Sequence, residues 1–200
     1  MPDAQRCITF FGTKGGVGKT LLATNVAVAL AAGQPAGSVA LVDLDLVAVG
    51  DAAHMLKLNP RITIADWAAT GVKSGEARPV SEIALPHASG VHFFAAVRSP
   101  AQANVFNIHW IEPLFTELRH RYRYIIVDGG RTLSDALIAA FEESNLILLV
   151  LTPDVLSLYQ TKWSLNFIED LHADRIKRAH VAEVVKKIRV GPVRRHPERP

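Results

Sequence analysis

One cysteine, Cys7, stands in the 200 residues, so neither an internal disulfide nor a cysteine-rich zinc site can be built. Long apolar runs are missing too. The longest unbroken aliphatic stretches, Val26–Ala32 and Leu146–Leu151, fall far short of the ~18 residues that a membrane span needs. Met1 leads through a few polar residues straight into Cys7-Ile8-Thr9-Phe10-Phe11, with no basic and apolar leader, and the expected compartment is the cytoplasm. The eight histidines are scattered, with no His-x-x-x-His pair and no Cys–His cluster, which argues against metal coordination by imidazole. Internal repeats and low-complexity tracts are absent as well. What is present is globular material: 49% hydrophobic and 20% charged residues, enough in one chain of this length to bury a substantial core.

The net charge of +3 hides a split. Residues 1–170 carry 13 Lys+Arg against 16 Asp+Glu, whereas the last thirty carry 9 against 3. Such a basic end suits nucleic acid or an anionic membrane surface, or is simply a solvated terminus. We therefore divide the chain into a main domain, 1–172, and a basic tail, 173–200. In the tail, Val181, Val184, Val185 and Ile188 recur at helical spacing among Lys177, Arg178, Lys186, Lys187 and Arg189, and Gly191-Pro192 ends the pattern. A helix is expected there, its aliphatic face docked on the main domain in preference to a membrane, because it lacks Trp and Phe.

In the main domain, short apolar runs alternate with longer helical patterns, the mark of an α/β fold with a mostly parallel sheet and helices on both faces. The expected strands are Cys7–Phe11, Val39–Asp43, Val91–Ala95, Tyr124–Asp128 and Leu146–Leu151. The expected helices are Lys19–Ala32, Ile62–Ala69, His109–Arg121, Leu133–Glu143 and Leu156–His172. Leu158, Lys162, Leu165, Ile168 and Leu171 define the inward face of the last helix. Val72–Ser89 is expected as loop with a single helical turn, and Arg119-His120-Arg121-Tyr122-Arg123 as a solvated helix end. Trp67, Trp110 and Trp163, all on expected helices, fit core or partner surface better than ligand stacking.

Chemistry enters at Gly12-Thr13-Lys14-Gly15-Gly16-Val17-Gly18-Lys19-Thr20, between the first strand and an Ala/Leu/Val-rich helix. Glycines let a chain curl tightly enough to turn backbone N–H groups inward around a phosphate. The helix opening at Lys19 adds the favourable end of its dipole. Lys19 would reach the outer phosphates and the Thr20 hydroxyl would ligate Mg²⁺. Thr13 stands where the strict Gly-x4-Gly-Lys-Ser/Thr pattern has its first glycine. Carboxylates complete such a site, and two strands end in them. Val39-Ala40-Leu41-Val42-Asp43-Leu44-Asp45 supplies a pair that points one way if the strand stays extended, and Tyr124-Ile125-Ile126-Val127-Asp128 has the Walker B form.

Lys14 ahead of Gly15-Gly16-Val17-Gly18-Lys19-Thr20 resembles the deviant Walker A motif of the MinD/ParA ATPases. The resemblance implies Mg-dependent binding and slow hydrolysis of ATP in an ATP-dependent homodimer, with Lys14 reaching the phosphates of the partner subunit's nucleotide. It makes Asp45 the switch I aspartate that positions water, Asp128 the switch II aspartate near Mg²⁺, and Asp43 a support of the metal shell. Two departures stand out. Gly129-Gly130-Arg131 replaces the proline usual after the switch II aspartate, and no Asn follows a later strand to read the base, since the last is Asn166.

Later segments resemble the CpaE/TadZ branch, which places pilus machinery at the cell pole: Val42-Asp43-Leu44-Asp45-Leu46, Asn59-Pro60-Arg61-Ile62-Thr63-Ile64-Ala65-Asp66, Arg98-Ser99-Pro100, and Leu151-Thr152-Pro153-Asp154 with Ser157-Leu158. The likeness covers about residues 7–171 and implies pilus or secretion assembly proteins as partners, at a cytoplasmic site peripheral to the inner membrane or at the pole. Beyond His172 it stops, and a truncated or diverged C-terminus is expected. The alternatives are a ParA-like partition ATPase binding DNA non-specifically through the tail, and a non-hydrolysing scaffold with a degraded nucleotide site. Iron–sulfur relatives need more cysteines than one.

Overall fold

The computed structural model describes residues 5–47, 49–74, 79–103, 108–174 and 180–185. In chain order it contains β1 (Arg6–Phe11), α1 (Lys19–Ala32), β2 (Val39–Asp43), α2 (Asp51–Met55), α3 (Ile64–Ser74), β3 (Leu85–Pro86), β4 (Val91–Ala95), α4 (Pro100–Ala103), α5 (Ile111–Arg121), β5 (Tyr124–Asp128), α6 (Asp135–Glu142), β6 (Leu146–Leu151), α7 (Val155–Asp174) and β7 (His180–Val185). Single 3-10 turns at Val80–Glu82 and Ile108–Trp110 precede β3 and α5. The sheet has seven strands in the order β3-β4-β2-β5-β1-β6-β7. Every pairing is parallel except the short β3–β4 contact.

Strand periodicity sorts the side chains. In β2, Ala40 and Val42 enter the core under α3, α5 and α6, while Val39 and Leu41 face α1 and α2. A third apolar cluster joins Phe11, Ile147 and Leu149 to Leu137 and Phe141 of α6, Ile168 of α7 and Val181 of β7. Both faces of the sheet are thus covered, which is why its central strands are continuous apolar runs.

Several expectations are corrected. The tail segment Val181–Val185 is not helical. It forms β7, a parallel strand on the edge of β6, in register from Leu146↔His180 to Leu151↔Val185. Lys177, Arg178 and residues 186–200, including Ile188, lie outside the described residues. The inward face of α7 holds at Leu165, Ile168 and Leu171, which join the third cluster, and differs over the first turns. Ser157, Thr161, Ser164 and Ile168 are buried, whereas Leu158 is 52% exposed. The basic helix end is less solvated than its charge suggests. Arg119 pairs with the Glu143 carboxylate and donates to its carbonyl, and the buried Tyr122 hydroxyl meets His92 Nδ1 at 2.8 Å. The Val72–Ser89 stretch also holds the end of α3 and the short β3.

Of the tryptophans, Trp67 is buried edge-to-face on Trp110, and Trp163 stands 56% exposed, stacked on Phe167. No helix among the described residues is long and apolar enough to cross a membrane.

Candidate functional site

The site forms where β1, β2 and β5 end, at the carboxyl edge of the sheet. Leaving β1, the chain passes so close to β6 that a Cβ on Gly12 would lie 2.4 Å from the Val150 carbonyl oxygen, which only glycine permits. It then turns through Gly16 and Gly18 and enters α1 at Lys19. Gly18 is the N-cap and offers no side-chain acceptor, so the first-turn N–H groups of α1 remain available to an anion. Lys19 is 7% exposed, and its Nζ donates to the Lys14 carbonyl at 3.0 Å. Burial pulls its pKa down, Asp128 and Asp45 pull it back, and Arg131 pushes it down further.

Asp43 and Asp128 face each other in register on neighbouring strands, both buried. Burial raises the Asp43 pKa well above the usual carboxylate range, with the Asp128 charge next in importance. Burial raises that of Asp128 too, partly offset by the Thr20 side chain and by the Gly130 N–H, which donates to Oδ1 at 3.3 Å. Asp128 Oδ2 is buried with no hydrogen-bond partner. Such an orphan costs free energy unless something else fills its shell. Beside Thr20 it fits hydrated Mg²⁺, which in phosphate loops is held by one hydroxyl, phosphate oxygens and water. No group of three or more His, Cys, Asp or Glu among the described residues could hold a metal by itself.

The expected extension from Asp43 to Asp45 does not persist. β2 stops at Asp43, and the Asp45 amide folds back to donate to Asp43 Oδ1 at 3.1 Å. Asp45 instead comes to rest on switch II. A Cβ on Gly130, whose φ is +65°, would lie 2.5 Å from Asp45 Cγ. Asp45 therefore lines the open cavity, while Asp43 and Asp128 are buried at the strand ends outside its wall.

That cavity, about 400 Å³, is walled by Gly15, Gly16, Gly18, Lys19, Thr20, Asp45 and, unexpectedly, Arg131 and α2. Val17 packs its side chain into the core beneath the loop. Lys14 lies outside the cavity wall. Its Nζ donates to Asp154 Oδ2 at 2.7 Å. Asp154 also accepts from the Thr152 hydroxyl and the Ser157 N–H, and these partners hold its pKa far below the usual range. Arg131, α2 and the grip of Asp154 on Lys14 were not anticipated. Asp154 had a signal, an Asp three residues ahead of Ser157 at a helix start. Five-residue α2 is too short to show a period.

The ParA family, described as NUBPL iron-transfer P-loop NTPase, matches residues 3–179. The chain belongs to the ParA family of P-loop NTPases. Among solved structures it is similar to MinD from Pyrococcus horikoshii complexed with Mg-ADP, at 20% identity over 88% of this chain and 67% of that one, with a TM-score of 0.67. Cobyrinic acid a,c-diamide synthase from Mycobacterium smegmatis, with a bound ATP analogue and magnesium, aligns at 18% identity over 91% and 75%, TM-score 0.75. A plasmid partition protein from Borrelia burgdorferi aligns at 16% identity over 94% and 81%, TM-score 0.70. Likeness at these identities shows the fold. No curated protein sequence matches the chain. Within the ParA family, a buried Cys7 whose thiol is pushed up to about 12 by burial is poorly suited to hold iron.

Proposed function

We propose that this ParA-family chain binds Mg-ATP at its phosphate loop, dimerises face to face around the nucleotide and hydrolyses it slowly, as a switch that positions pilus or secretion machinery. The observation that carries the nucleotide reading is the orphaned Asp128 Oδ2 beside Thr20 and Lys19 at the uncapped start of α1. Lys19 neutralises the outer phosphates, and Asp45 orients a water that attacks the γ-phosphorus while the bridging P–O bond breaks and ADP departs with its electron pair. Thr20, with Asp128 beside it, would hold magnesium, which would supply charge neutralisation at the outer phosphates. Support for the localising role comes from the CpaE/TadZ-like segments, and for the dimer from the position of Lys14 in the motif.

The test is calorimetric ATP titration of the full chain, with size measured with and without nucleotide. Lys19→Ala should lose Mg-ATP binding, and equal affinity would remove the phosphate-loop reading. Lys14→Ala should bind ATP yet stay monomeric. An undiminished ATP dimer would rule out its role across the interface. A second reading, DNA partition, is favoured by the basic tail and by the likeness to the plasmid partition protein. Salt-dependent retention on non-specific DNA in the ATP state distinguishes it.

A further inference from the structure

The cavity wall holds a cation that the phosphate-loop pattern does not account for. Arg131 follows Gly129-Gly130 after β5, and a terminal nitrogen of its guanidinium lies 3.6 Å from the point a Cβ on Gly15 would occupy. The guanidinium thus rests against the phosphate loop itself. It shares the cavity with Lys19, Thr20 and Asp45. Among the described residues no carboxylate pairs with it and no hydrogen bond holds it. Its charge is felt at Lys19, which it makes easier to deprotonate. Two cations converge on an uncapped helix start, and the third nearby, Lys14, is engaged by Asp154.

The glycine pair explains how Arg131 arrives there. A Cβ on Gly129 would strike Leu137 Cδ1 at 2.5 Å and the Phe10 carbonyl oxygen at 3.0 Å. The next residue, Gly130, takes a positive φ beneath Asp45. The backbone therefore leaves β5 tightly against β1 and α6, then bends so that residue 131 turns back over the loop. Gly130 carries the water-positioning Asp45 on one side and is joined to Arg131 on the other. Arg131 accordingly faces the cavity shared by Gly15, Lys19 and Asp45.

We propose that Arg131 is a phosphate ligand supplied in cis, its planar fork spanning two oxygens of the γ-phosphate from the switch II side, opposite Lys19. An arginine suits this place because its guanidinium meets a phosphate bidentately, which an ammonium cannot do. It also neutralises charge that develops on the transferred phosphoryl group. The assignment rests on the nucleotide reading above. It is independent of dimerisation, because the group comes from the same chain as the loop.

The experiment is calorimetric titration of the full chain with Mg-ATP and with Mg-ADP, repeated for Arg131→Ala, Arg131→Lys and Lys19→Ala, and again in a Lys14→Ala background. Arg131→Ala should weaken ATP about tenfold and ADP less than twofold, with the melting temperature unchanged because the side chain is exposed. Arg131→Lys should recover only part of the loss, and the same pattern should persist with Lys14→Ala. Unchanged ATP affinity in Arg131→Ala, while the wild type binds both nucleotides and Lys19→Ala binds neither, overturns this assignment alone. An equal loss of ATP and ADP overturns it too, since a loop-shaping residue would not sense the γ-phosphate. A wild-type chain that binds neither nucleotide overturns the nucleotide reading and this one with it.

Discussion

Asp43 and Asp128 bury two carboxyl groups side by side, and both have raised pKa values in the folded chain. The folded state therefore keeps protons that the unfolded state has released. Stability is full below the ordinary carboxylate range and is lost as pH rises through the raised values. Asp43→Asn should flatten that decline and raise the nucleotide-free melting temperature at neutral pH by roughly 3 °C. Melting profiles across pH that superpose for the two proteins would show that the burial carries no such penalty. Gly130→Ala tests the neighbouring contact, because a methyl group there displaces the Asp45 carboxylate. Turnover should fall by about one to two orders of magnitude beyond any loss of ATP affinity that comes from the bend at Arg131, the mark of an interaction needed for the chemistry. Normal turnover would mean that Asp45 is not positioned by switch II. The placement of Lys19 and Thr20 at a helix start and of Asp128 at a strand end was legible in the sequence, because each follows from a contiguous local pattern. The placement of Asp45 and Arg131 was harder to read. It depends on where β2 stops and on how the chain bends after Asp128, and neither is written in local spacing.

The central strands were legible almost to the residue, since burial on both faces makes each a continuous apolar run. Helix α7 was legible in extent and over its second half, where Leu165, Ile168 and Leu171 join the core, but not over its first turns. Its sheet-facing side is made of small hydroxyl residues whose donors are satisfied locally: Thr161 donates to the Ser157 carbonyl at 2.8 Å and Ser164 to that of Gln160 at 2.9 Å. The Ser157 hydroxyl accepts from the Thr152 amide at 3.1 Å, which ties the helix start to the end of β6. Satisfied hydroxyls can be buried, and their small volume brings the helix close to the sheet. A hydrophobic pattern ranks such residues as polar and so misses the buried side of the first turns. Ser164→Leu should therefore overpack the interface and cost ~1–3 kcal/mol. Leu158→Ser, on the exposed side, should stay within ~0.5 kcal/mol of wild type. Urea midpoints in the opposite order would restore the orientation read from periodicity.

For the molecule as a whole, β7 extends the sheet by one strand beyond β6. Val181, Val184 and Val185 fit a helical face at their spacing, but over so few residues the periods of helix and strand are not separable. Three valines in five residues favour a strand, because branching at Cβ restricts the helix and packs well on a pleated surface. Once β7 pairs with β6 along its whole length, Val181–Val185 belong to the sheet and not to an amphipathic helix. β7 also covers the open side of Leu146–Leu151, which would otherwise be an edge strand with a row of unpaired backbone groups. A chain ending at Ala179 should therefore melt at least several degrees lower and aggregate at concentrations where the full chain stays dispersed. Flotation with anionic liposomes should be the same for both chains if docking is the main work of this region. The opposite pair of results, an unchanged melting temperature with flotation lost only in the shortened chain, would assign the C-terminal residues to a membrane surface. A lower melting temperature with equal flotation assigns them to the sheet.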